Sequence, residues 1–203
     1  MQKALATLQL STAIAAAAEH RPAALKVPAL APSERILGTE DAPVTIIEYA
    51  SLTCWHCAEF EIEKMPRIRQ DWIETGRAKL AFSNFPLDGL ALRAAALTRC
   101  VPKERYLGFV DLLYKEQSNW VHLADPDEAL RRGAGYRGLT DAEKESCLAN
   151  TKLVDSIAAE RQIATKEYGV NSIPTFFING RKIEGDVLYE EFESALRAGF
   201  SKR

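Results

Sequence analysis

The stretch Val44-Thr45-Ile46-Ile47-Glu48-Tyr49-Ala50-Ser51-Leu52-Thr53-Cys54-Trp55-His56-Cys57 decides the fold. Its first seven residues are β-branched, apolar or aromatic, the composition of a buried strand. From Cys54 to Trp72 there is no glycine and Pro66 is the single proline, while Ile62, Met65, Ile68 and Trp72 recur at helical spacing. That pattern predicts a helix kinked near Pro66 and stopped by Gly76. Lys79 to Phe85 reads as a second strand ended by Pro86. Strand, long crossover and strand make a βαβ unit with parallel strands, so the two thiols fall at a strand-to-helix junction.

Working outward, the pattern changes over residues 89–168. Alanine and leucine dominate, β-branched runs vanish, and turns fall at Gly133-Ala134-Gly135 and Arg137-Gly138. Thr140-Asp141-Ala142-Glu143 is a capping-box signature, and Gly169 ends a last long helix that begins near Lys152. Four or five helices are expected here. Thr175-Phe176-Phe177-Ile178, the turn Asn179-Gly180 and Arg181-Lys182-Ile183-Glu184 then form a hairpin, because both turn positions need positive φ. A final helix runs from about Tyr189 to Ala198. The order βαβ, helices, ββα implies one sheet, from residues 36–88 and 169–203, interrupted by a helical insertion.

A length of 203 residues suits one domain with a large insertion, and 47% hydrophobic with 27% charged residues excludes bulk disorder. The formal net charge of −2 leaves no basic field for polyphosphate, so nucleic acid is not expected as a partner. Residues 1–18 carry Lys3, a short apolar run, and Ala16 and Ala18 in an A-x-A match, the pattern of a cleaved export signal. An alanine-rich amphipathic helix or an uncleaved anchor is the alternative. Gln9, Ser11 and Thr12 break the run short of the about 20 apolar residues that span a bilayer. Residues 19–35, with Pro22, Pro28 and Pro32, read as an extended leader. Export predicts a soluble protein in a compartment where disulfides persist.

Two thiols three residues apart at the start of a helix can close a small disulfide ring. The first would meet the unpaired N–H groups and positive dipole end of that helix, which favour a thiolate. Cys54 is therefore the expected nucleophile and Cys57, one turn deeper, the buried resolving thiol. His56 adds a donor or positive charge that stabilises the same anion. A zinc knuckle is the competing reading, but Cys100 and Cys147 form no second C-x-x-C, and His20 and His122 are isolated. No metal and no cofactor are expected. Pro174 precedes the hairpin strand; an Ile173–Pro174 bond in cis would lay the backbone of Ile173 open beside the disulfide, where an extended substrate could pair with it. A trans proline starting a strand is the alternative.

Glu48 to Glu61 around the cysteines, Phe85-Pro86-Leu87-Asp88, and Gly169-Val170-Asn171-Ser172-Ile173-Pro174-Thr175-Phe176 together resemble the DsbA-like thiol–disulfide oxidoreductases. The resemblance covers roughly Ile36 to Phe200. It implies a thioredoxin-like α/β fold with an inserted all-helical subdomain, at work in the bacterial periplasm or an equivalent oxidising space. It also implies an exposed nucleophile at Cys54 with its partner at Cys57, a thiolate-stabilising residue at His56 and a cis proline at Pro174. Glu48 is similar to the family's buried acid that tunes proton transfer, with a solvated strand-end carboxylate as the alternative. The usual Pro-His dipeptide is replaced by Trp55-His56, which leaves the direction of thiolate stabilisation but not its size; Trp55 reads as an exposed apolar contact for substrate. In an exported chain the leftover Cys100 and Cys147 read as a structural disulfide, a feature of some members, with two buried free thiols as the alternative.

These readings converge on a disulfide donor to reduced secreted or periplasmic polypeptides, reoxidised by a membrane redox partner. A reductase or isomerase on the same scaffold is the nearest rival, and a non-enzymatic thiol-based metal- or peptide-binding domain the next. About 17 residues between the presumed cleavage site and the folded body favour a monomer over the long dimerising extensions of isomerases. Glu59, Glu61 and Glu63 read as matches to the helix dipole, Trp120 and His122 as packing and surface, and Arg131-Arg132 as a solvated face.

Overall fold

The computed structural model of the chain describes residues 26–30 and 35–201. The export-signal reading of residues 1–18 lies outside them. Five strands form one mixed sheet: β1 (Ile36–Leu37), β2 (Val44–Ala50), β3 (Ala78–Asn84), β4 (Thr175–Ile178) and β5 (Arg181–Glu184), in the order β1-β3-β2-β4-β5. β2 lies parallel to β3 and antiparallel to β4, while β1 and β5 pair antiparallel at the edges. The central β2 is covered on both faces, which is why it reads as a near-continuous apolar run rather than an alternating one.

On one face Val44 and Ile46 pack under α1 (Trp55–Glu63), α2 (Met65–Ile68) and α9 (Tyr189–Phe200). Phe60, Phe176 and Phe192 form an aromatic triangle there, with ring centroids 4.4, 5.3 and 5.0 Å apart. Such pairs add about 0.5–1.5 kcal/mol each beyond the area they bury. On the other face Ile47, Tyr49 and Phe177 pack with Ala164 of α8 (Thr151–Tyr168). The break expected near Pro66 falls at Lys64, and a π-helical turn at Arg69–Ile73 leads to Gly76. The proline suits the first turn of a new helix, where its missing N–H costs nothing.

Between β3 and β4 the described chain forms α3 (Gly89–Cys100), α4 (Lys103–Lys115), α5 (Gln117–Trp120), α6 (Pro126–Tyr136), α7 (Asp141–Leu148) and α8. That is one helix more than expected, because α5 has a single turn and shows no periodicity. The Thr140/Glu143 capping box opens α7, and Gly169 closes α8 in the left-handed conformation. Both hairpin turn residues have positive φ, 45° at Asn179 and 86° at Gly180. Cys100 and Cys147 are joined in a disulfide that ties the end of α3 to α7, with their Cα atoms 6.2 Å apart. Two-residue β1 escaped sequence reading for the same reason as α5. Residues 26–30 run along the end of α8, where the Lys26 N–H donates to the Glu167 carbonyl at 2.8 Å. Among the described residues no helix is long and apolar enough to cross a membrane.

Candidate functional site

The Cys54/Cys57 pair sits where β2 hands over to α1. Cys54 is the N-cap of α1 with extended backbone angles (φ −84°, ψ 117°), and Cys57 lies in the first turn, fully buried. Hydrogen bonds hold the turn before them. The Cys54 N–H donates to the Ser51 carbonyl at 3.1 Å, and Thr53 Oγ1 donates to Asp88 Oδ2 at 2.8 Å. Asp88 also caps α3 by accepting from the Ala91 N–H at 2.7 Å, so one carboxylate serves both elements. On the opposite side Gln117 of α5 donates to the Leu52 and Cys54 carbonyls.

The Ile173–Pro174 bond is cis, and the Ile173 carbonyl oxygen lies 4.0 Å from Cys54 Sγ. Ile173 packs against the same cluster as Cys54, and Cys54 is only 8% exposed. The expectation of an exposed nucleophile is corrected to that extent, because the loop before the cis proline covers part of the sulfur. Trp55 is 63% exposed, and its ring stacks on His56 with centroids 3.4 Å apart. His56 Nδ1 stands 3.8 Å from Glu59 Oε2.

The two thiols are held in opposite protonation states. The hydrogen bond from Cys57 lowers the Cys54 pKa from near 9.0 to about 6, against burial and with help from the N–H groups of Cys57 and His56 and the His56 charge. Burial, then the hydrogen bond to Cys54, pushes the Cys57 thiol up. A thiolate at Cys54 beside a protonated Cys57 is what disulfide exchange requires of a leaving group and its resolving partner.

Behind Cys57 lies a buried acidic pair. Glu48 is fully buried, so the solvated alternative does not apply, and its carboxyl oxygens have no hydrogen-bond partner of ordinary geometry. Burial, reinforced by the Glu61 charge, raises its pKa well above the usual carboxylate range. Glu61 is also buried and is raised by burial, offset in part by Arg69, whose Nη2 lies 3.8 Å from Glu61 Oε2. The reading of Glu61 as a match to the helix dipole is therefore corrected. It stands four residues after Cys57, on the same inward face of α1, and that spacing was the signal available in the sequence. Tyr114 of α4 buries its hydroxyl toward the same group, and burial followed by the Cys57 and glutamate charges raises its pKa. Trp120 is buried, with Nε1 donating to the Leu113 carbonyl at 2.8 Å. Arg131 and Arg132 pair with Glu145 and Glu128. Among the described residues no three His, Cys, Asp or Glu side chains gather as a metal-ligating group.

The thioredoxin family model matches residues 30–198. The chain belongs to the thioredoxin family. Within the family it is DsbA-like: it superposes on the crystal structure of Wolbachia pipientis alpha-DsbA1 with a TM-score of 0.79 at 30% identity, covering 85% of this chain and 94% of that one. A relative from Rickettsia bellii, whose name assigns it provisionally to the protein-disulfide oxidoreductases, is 28% identical over 153 residues, or 75% of this chain and 59% of that protein. The chain thus spans about three-fifths of that relative's length. Disulfide bond formation protein D of Bacillus subtilis is 24% identical over 172 residues, 79% of this chain and 74% of that protein. The thioredoxin-family sheet accounts for the arrangement above, since β2 pairs antiparallel with β4, Tyr49 opposite Thr175, which sets the end of β2 and the start of α1 beside the cis-proline loop that precedes β4.

Proposed function

We propose that this chain is a thiol–disulfide oxidoreductase that donates a Cys54–Cys57 disulfide to reduced, exported polypeptides. The observation that carries this reading is the opposed titration of the two thiols, with Cys54 near 6 and Cys57 pushed up, beside the Ile173 carbonyl. A substrate thiolate attacks Cys54 Sγ of the disulfide, and the electron pair of the broken S–S bond leaves on Cys57. That buried sulfur needs a proton, and Glu48, kept protonated by its surroundings, is the group placed to supply it. A second substrate thiolate then attacks the substrate sulfur of the mixed disulfide and releases Cys54 as a thiolate. His56 and the N–H groups at the head of α1 stabilise that anion.

Ile173 offers its backbone for pairing with an extended substrate, and the exposed ring of Trp55 supplies apolar contact. In this reading residues 36–88 and 169–203 form the catalytic thioredoxin-like domain, with 89–168 inserted. The protein works as a monomer in the periplasm, and a membrane redox partner takes the electrons left on the reduced pair. Catalysed oxidation of a reduced test polypeptide by the disulfide form checks the proposal: stoichiometric transfer supports it, and no transfer from a fully oxidised protein refutes it.

Glu48 makes a second prediction. Its pKa is raised in the folded state, so between the ordinary carboxylate value near 4.5 and the folded value the native chain holds an extra proton. Stability conferred by that proton falls as pH rises through this window, by about 1.4 kcal/mol per unit. In the oxidised protein, whose redox thiols do not titrate, Glu48→Gln is expected to flatten this slope and to be the more stable form near neutrality. Denaturant titrations across the window measure it, and an unchanged slope in the variant contradicts the assignment.

A further inference from the structure

Gln117 opens α5 in the helical region, yet its side chain is buried against the turn that carries Cys54. Its Nε2 lies 2.8 Å from the Leu52 carbonyl oxygen and 3.1 Å from that of Cys54. Both partners can only accept, so the amide must face them with its nitrogen inward. The Cys54 carbonyl already accepts the Ala58 N–H at 3.1 Å, the first bond of α1, and Gln117 takes its remaining lone pair. One side chain thereby reaches both carbonyls from 65 and 63 residues away in the sequence.

We infer that Gln117 is a positioning residue for the redox pair, clamping the Leu52 and Cys54 carbonyls so that the Cys54 sulfur stays over the N–H groups at the head of α1. Carbonyl oxygens are the negative ends of peptide dipoles, and these two belong to the turn that carries the Cys54 sulfur. The Gln117 amide hydrogens offset both. Without them the Leu52 carbonyl loses its Gln117 partner and the Cys54 carbonyl keeps its bond to the Ala58 N–H alone, or the turn swings to reach water and draws the sulfur away from its donors. The helical region would then tune the redox thiol directly as well as pack beside it. This inference rests on the oxidoreductase reading and adds a residue to its machinery.

Three variants test it. Gln117→Met keeps the side-chain length and removes the donor, while Gln117→Glu keeps the shape and turns a donor into a carboxylate facing two carbonyls. Trp120→Phe is the control, since it breaks a buried hydrogen bond between α5 and α4, Nε1 to the Leu113 carbonyl, that touches neither redox cysteine. The ultraviolet thiolate absorbance of the reduced, folded protein against pH gives the Cys54 midpoint. Both Gln117 variants are expected to move that midpoint up by about half a unit or more, which cuts the thiolate fraction near pH 6 about twofold. Their reaction with a small disulfide at that pH should slow by about the same factor. Trp120→Phe should lose stability and keep the wild-type midpoint. A wild-type midpoint in whichever Gln117 variants fold, with stability lowered as in Trp120→Phe, overturns the inference and leaves Gln117 a packing residue. The titration uses no polypeptide substrate, so it judges Gln117 even if the chain fails to oxidise one.

Discussion

Replacing Cys54 with serine will abolish disulfide transfer, by at least about a thousandfold, while Cys57→Ser will still capture a partner and will not release it. The asymmetry comes from burial and charge. Cys54 keeps a small exposed edge and a pKa near 6, so at neutral pH it stands ready as a thiolate. Cys57 is sealed from solvent with its pKa pushed up, and its thiol hydrogen-bonds to Cys54. With serine at 57, a Cys54 thiolate attacking a small disulfide forms a mixed disulfide and expels one partner thiolate. No neighbouring thiol then resolves the bond. Mass spectrometry after exposure to oxidised glutathione should show one adduct on Cys57→Ser and none on Cys54→Ser. Because the Cys57 thiol is the main donor holding the Cys54 pKa down, the adduct on Cys57→Ser should reach its half-maximal rate above pH 6. An adduct on Cys54→Ser, or turnover without Cys54, contradicts the assignment of the nucleophile.

Removing the second disulfide should cost about 4 kcal/mol in the double variant Cys100→Ala/Cys147→Ala. The bond closes a loop of sequence separation 47 between α3 and α7, and chain-entropy loss in the unfolded state gives that figure as an upper value. For a chain of this size it corresponds to a melting temperature lower by roughly 8–16 °C. Paired denaturation curves of the wild-type protein and the double variant provide the measurement. A loss below about 1 kcal/mol would mean that the denatured chain is already compact across this loop and that packing of α3 on α7 carries the structure.

Residues whose local chemistry leaves little choice were legible in the sequence. The β2 boundaries, the Asn179-Gly180 turn, the Thr140/Glu143 box and the Gly169 stop follow from β-branching, positive φ and capping hydrogen bonds, all of them short-range. The cis bond before Pro174 was reached through context, since a strand–C-x-x-C–helix unit calls for it more strongly than the dipeptide does. What escaped was set by distant parts of the chain. Gln117 shows no pattern until α5 is folded onto the Cys54 turn, and nothing in the sequence around Asp88 signals its cap on α3 or its bond to Thr53. Glu61 looks like a surface acid until the inward face of α1 is known, and the partial cover over Cys54 depends on where Ile173 comes to rest.

The reduction potential of the Cys54–Cys57 pair decides which way electrons flow between this protein and its substrates. It is measured by equilibrating the protein with defined ratios of reduced and oxidised glutathione and counting free thiols. A stabilised Cys54 thiolate favours the reduced form, so the pair is expected to be oxidising, with a potential above about −180 mV. A value near thioredoxin's, about −270 mV, would contradict it and make this chain a reductase built on the same site.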